Sequence, residues 1–169
     1  MKTNKNPLSS FTLIEILAVI AVIIILAGIT LGIIGYANSK ALRDRTTAEI
    51  KFIELQMERY HNDVGEYPER EETENNGLFK MLGQTNDFIR VRPLAEFKPS
   101  QVSGDNLVDP YGNLYGFKSP GFVNKGGFDL WSTAGAGSPT STNNLAAYRS
   151  VTNNPNSTNI ARWLGNWRR

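Results

Sequence analysis

The chain contains no cysteine and one histidine in 169 residues. Disulfide frameworks, thiol catalysis and Cys-based metal sites are therefore excluded, and a lone His61 cannot supply a His-rich ligand set. No Gly-x-Ser-x-Gly elbow and no phosphate-binding glycine loop occurs, so hydrolysis by an activated serine and nucleotide chemistry lack their signatures. Asp109 and Asp129 remain as acids for a paired-carboxylate hydrolase, yet they share no motif. No acid at all follows Asp129. A surplus of one charge sign is also missing, because taking Lys2 and Lys5 from the 18 basic residues leaves 16 against 16 acids. The pI of about 8.9 is thus weak ground for nucleic-acid binding, and nucleic acid is not expected as a partner. The length allows one domain with a real core plus an anchor.

Charge is absent once more between Ile16 and Ser39. At about 1.5 Å per helical residue, Ile16 to Tyr36 would reach roughly 31 Å, the thickness of a bilayer core. The expectation is a membrane-spanning helix over 11–39. Glu15 stands at its start, and an acid at membrane depth needs a partner or a function. Lys2 and Lys5 favour a cytoplasmic N-terminus, while Lys40, Arg43 and Arg45 pull the other way. Gly28 and Gly32 have the small-xxx-small spacing of close helix packing; glycine is also simply common in membrane helices, and both readings stand.

Beyond the apolar run the helical period continues. Thr46, Ile50, Ile53, Met57 and Tyr60 recur at spacings of three and four, which predicts an amphipathic helix over 40–63 with that stripe in a core. Gly65 and Pro68 end it, with His61 facing solvent. Glu69 to Asn76 reads as a solvated acidic loop, and Gly77 to Gly83 as a short helix stopped by Gly83. Phe88 to Val91, Leu114 to Phe117 and Phe128 to Ser132 read as strands, the last half-buried, and Asp109 to Asn113 as a turn. From Gly137 to Asn159 the Ser, Thr, Asn and Gly content predicts loop. Trp163 and Trp167 are expected to pack against the sheet.

Phe11-Thr12-Leu13-Ile14-Glu15 resembles the processing and assembly signature of type IV pilins and type II secretion pseudopilins. The resemblance implies cleavage between Ser10 and Phe11 by a prepilin peptidase, N-methylation of Phe11, and pairing of Glu15 with the terminal amine of a neighbouring copy. Ser10 stands where that family usually has Gly. Three further blocks are similar to the major pseudopilins of type II secretion: Tyr60-x-x-Asp63-x-Gly65-x-Tyr67-Pro68; Asp109-Pro110-Tyr111-Gly112-Asn113 with Gly127-Phe128-Asp129-Leu130-Trp131-Ser132; and Gly165-Asn166-Trp167.

The fold implied by this resemblance is α+β and pilin-like: a leader over 1–10, the two helix halves at 11–39 and 40–63, and an α+β domain over 64–169 on a small antiparallel sheet. The implied function is that of a non-enzymatic structural subunit polymerising into a periplasmic pseudopilus. The implied partners are copies of itself, minor pseudopilins, the peptidase/N-methyltransferase, and an inner-membrane platform with its ATPase. The implied location is the bacterial inner membrane, single pass, with the C-terminal domain periplasmic. The alternative is a type IV pilin of an extracellular fibre for adhesion, motility or DNA uptake. Relatives bind calcium in the C-terminal loop through two acids. Here Ala136 occupies the first place, leaving Asp129 and Ser132 as a weak candidate pair; no cofactor is required on this reading.

Overall fold

The computed structural model describes residues 11–71, 76–84, 93–151 and 162–167, with the side chains of 30–34 left out. Ser10, the surroundings of Gly32, residues 72–75 of the acidic loop and the strand expected at Phe88 to Val91 lie outside the described residues. The chain divides into two units, Met1–Lys40 and Ala41–Arg169, and helix α1, Leu13–Val64, runs through the boundary.

In the second unit the predicted stripe is the buried one: Thr46, Ile50, Ile53, Met57 and Tyr60 are all at most 6 % exposed. Each fully buried aliphatic side chain stabilises the fold by about 1.5–3 kcal/mol. Thr46 escapes an unpaired hydroxyl by donating to the Leu42 carbonyl at 2.7 Å. After Val64 the chain leaves the helix through Gly65, whose φ of 97° closes a turn with its N–H on the His61 carbonyl at 2.7 Å. Tyr67 then folds back, stacking on His61 at 4.4 Å and donating its hydroxyl to Glu58 at 2.9 Å. His61 is therefore half-buried, not solvent-facing as its place at the helix end suggested.

Helix α2, Leu78–Leu82, is the short helix expected, with Gly83 as its cap. A two-stranded hairpin follows, β1 (Val102–Ser103) and β2 (Asn106–Leu107), antiparallel. Asn76 ties these pieces together. Its side-chain N–H₂ donates to the carbonyls of Leu107 and Tyr115, both at 2.9 Å, and its oxygen accepts from the N–H groups of Leu78 and Leu107 at 3.1 and 2.9 Å.

The main sheet has the order β3 (Gly116–Lys118), β4 (Asp129–Ser132), β5 (Leu164–Gly165), all antiparallel. All four residues of β4 are buried. This corrects the half-buried expectation. Successive side chains of a strand point to opposite faces, and both faces of β4 are covered. Leu130 joins the cluster of Ile53, Met57, Leu78, Tyr115, Phe117 and Phe128. Trp131 joins a second cluster with Tyr148, Val151 and Trp163.

That second cluster depends on a helix where a loop was expected. Helix α3 spans Thr142–Val151. The Ser, Thr and Asn content that suggested loop is cap chemistry instead: the Ser141 carbonyl accepts from Leu145 N–H at 2.8 Å, and its hydroxyl from Asn144 N–H at 3.4 Å. Tyr148 and Val151, three apart, are the buried face.

Candidate assembly segment and carboxylate sites

Every described side chain from Phe11 to Ile29 is exposed. Leu13 is 83 % and Ile14 73 % accessible. Among the described residues no helix is long and apolar enough to cross a membrane. The helix nonetheless presents apolar side chains in all directions, and those described are exposed. A methyl group at Gly28 or Gly35 would meet nothing within 4 Å.

At the start of that helix Glu15 is part of a capping box. Its carboxylate accepts from the Thr12 N–H and the Thr12 hydroxyl, each at 2.9 Å, while the Glu15 N–H donates to the Thr12 hydroxyl oxygen at 3.3 Å. Thr12 and Glu15 thereby satisfy helix donors that would otherwise face outward unpaired.

The two aspartates singled out in the sequence are built into separate sites. Asp109 is 3 % exposed and lies inside its own turn. One carboxylate oxygen accepts from the N–H groups of Tyr111 and Asn113 at 3.0 and 2.8 Å, the other from the Ser132 hydroxyl. Burial pushes the Asp109 carboxyl above the usual range; the Ser132, Asn113 and Tyr111 donors pull it back in part, and Glu49 adds to the rise. Glu49 accepts from the buried Tyr115 hydroxyl at 2.9 Å and pairs with Arg45 at 2.9 Å. Burial, then Glu49, pushes the Tyr115 phenol up. Tyr67 is pushed up to about 12 by burial and by its bond to Glu58.

Asp129 is fully buried. It accepts from the N–H groups of Val123 and Asn124 at 2.9 and 3.0 Å and from the Tyr148 hydroxyl at 2.6 Å. Asp129 and Ser132 do not face each other: three residues apart on β4, they point to opposite sides of the sheet. What the fold brings together is Ser132 with Asp109, two separately noticed blocks, and Asp129 with Tyr148. Among the described residues no three His, Cys, Asp or Glu side chains converge as a metal-ligand group.

Asn166 closes the sheet. Its oxygen accepts from Leu130 N–H at 3.0 Å, its N–H₂ donates to the Phe128 carbonyl at 2.9 Å, and its own N–H donates to the Leu130 carbonyl at 3.1 Å. The Gly-Asn-Trp string marked this position but not its job. Asn76 and Tyr148 were missed altogether; the spacing of Tyr148 and Val151 was the available signal for the second, and nothing periodic marks the first.

Fold and site together describe an α+β protein whose N-terminal helix presents apolar side chains all round, a make-up consistent with the pilin-like class. The family described as "Type II secretion system (T2SS), protein G" matches residues 33–150. The chain is 29 % identical over 134 residues to type II secretion system core protein G of Pseudomonas aeruginosa, covering 76 % of this chain and 84 % of that protein. It is 28 % identical to the protein of the same description from Aeromonas hydrophila, with the same coverage. No solved structure matches. The chain belongs to the type II secretion system protein G family.

Proposed function

We propose that the chain is a structural subunit of a type II secretion pseudopilus, and that it polymerises through the segment beginning at Phe11. The observation carrying this reading is the helix from Leu13 to Ile29, apolar and exposed on every side. Such a surface is stable only in lipid or against other copies. Before assembly it anchors the chain in the inner membrane, with the second unit on the periplasmic side. The leader is removed between Ser10 and Phe11, and the new amine is methylated.

Within the polymer Glu15 leaves or shares its cap with Thr12 and neutralises the Phe11 ammonium of a neighbour. Register results, because a subunit out of step buries a carboxylate without its partner. Removing one member of a buried ion pair costs about 3–5 kcal/mol. Assembly draws on copies of the chain, minor pseudopilins, and an inner-membrane platform whose ATPase supplies the work. No cofactor takes part in the polymerisation.

The capping box makes the test sharp, since Gln can replace Glu in such a box. Glu15→Gln keeps the helix start and deletes the charge. Co-expressed with wild type, it stays in the membrane but drops out of crosslinked ladders, whose wild-type bands have the mass of a chain starting at methylated Phe11. Wild-type ladders from Glu15→Gln would refute the pairing, and bands retaining Met1 would refute the processing.

A further inference from the structure

We propose that the C-terminal part of the second unit is fastened by Tyr148 and a stack of aromatic rings, in the role that the resemblance gives to a calcium ion, so that this end holds without a divalent cation. The donor chemistry around the candidate acids carries this. Calcium takes six to eight oxygens at about 2.3–2.6 Å. Asp129 is met instead by hydrogens, from two backbone N–H groups and the Tyr148 hydroxyl. Asp109 is met the same way, by two N–H groups and the Ser132 hydroxyl. Ser132 is committed too, since its oxygen also accepts from Ala134 N–H at 3.0 Å. A cation approaching either carboxylate would confront donors, and Asp129 and Ser132 cannot share one across β4.

Gly121 closes the remaining side of Asp129. A Cβ there would lie 2.6 Å from the carboxylate, so the loop backbone sits where ligand oxygens would have to stand. The fastening is complete without them. Tyr148 is fully buried and stacks on Trp131 at 4.1 Å with the rings 17° apart. Trp131 in turn faces Trp163, nearly parallel at 6.5 Å, and Trp167 at 6.0 Å. Helix α3 delivers Tyr148, and β5 joins the edge of the sheet just after Trp163. A bond between two points far apart in sequence, the job of a bridging ion, is thereby made by one phenol and three indoles.

All three tryptophans of the chain lie in this cluster, so intrinsic emission reports on it alone. The experiment uses the full-length chain in detergent, stripped with EGTA, then titrated with calcium chloride into the millimolar range against magnesium at equal ionic strength. Wild type is expected to keep its emission maximum and melting midpoint throughout. Tyr148→Phe is expected to melt about 5–10 °C lower with red-shifted emission, by the same amount at every calcium concentration. A saturable, calcium-specific rise in the wild-type midpoint or blue shift in its emission overturns the proposal, as does a Tyr148→Phe protein that matches wild type. Should Tyr148→Phe not fold, Trp163→Phe, which leaves the Asp129 bonds in place, is to be compared; a wild-type midpoint there would overturn the proposal equally.

Discussion

At the scale of single residues, the second unit relies on polar side chains buried with their bonding complete. Asn76 is 1 % exposed with four bonds, and Asp109 is 3 % exposed with three. An unmade bond at such depth costs about 1–3 kcal/mol, so these residues fix geometry more than they add net stability. Asp109 has a consequence for pH. Its carboxyl is raised above the ordinary 3.8 chiefly by burial, so the folded chain takes up this proton at higher pH than the unfolded one. Stability from this group therefore grows as pH falls through the raised value, and the gain is complete near 3.8. Asp109→Asn cannot titrate. In urea melts of both proteins, the stability difference is expected to move in favour of wild type as pH drops from about 7 towards about 4. A difference that stays flat or moves the other way would mean that the carboxylate is not held at a cost.

Among the elements, β3 and β4 show how a glycine and a tryptophan specify one pairing. Gly116 lies opposite Trp131 in the register, and the indole covers it so closely that a Cβ would fall 2.0 Å from the ring. Only a residue without a side chain allows the ring to lie there and reach Tyr148 on the other flank. Gly116→Ala should cost about 1–3 kcal/mol through overpacking, read as a lower urea midpoint with tryptophan emission shifted to the red; an unshifted midpoint would show that the ring moves aside freely. Some of this was legible in the chain and some was not. The stripe from Thr46 to Tyr60 announces α1 because a repeat of 3.6 has no other use, and Gly83 announces the end of α2. Helix α3 stays hidden because its capping Ser141 and Asn144 look like loop residues and its apolar face is only a few side chains wide. The pairing of Asp109 with Ser132, 23 residues apart, is a product of tertiary folding. Local pattern finds each partner and cannot join them.

The molecule as a whole divides its physical demands at Lys40. Every residue of the two buried clusters belongs to the second unit, from Ile50 on α1 to Trp163 before β5. Among the described residues that unit buries an apolar core and gives its buried polar side chains hydrogen-bond partners, except at the indole N–H groups of Trp131 and Trp167. In the first unit the described apolar side chains from Phe11 to Ile29 remain exposed. On the proposed mode of assembly, association belongs to the first unit and folding to the second. A chain beginning at Ala41 is expected to melt cooperatively in water and sediment as a monomer, because it keeps both clusters and loses the exposed apolar run. The full chain is expected to need detergent, lipid or a polymer of itself to stay dispersed. If the shortened chain instead assembled into filaments at the concentrations where the full chain does, polymerisation would have to be driven by surfaces of the folded unit, and the apolar helix would be reduced to an anchor.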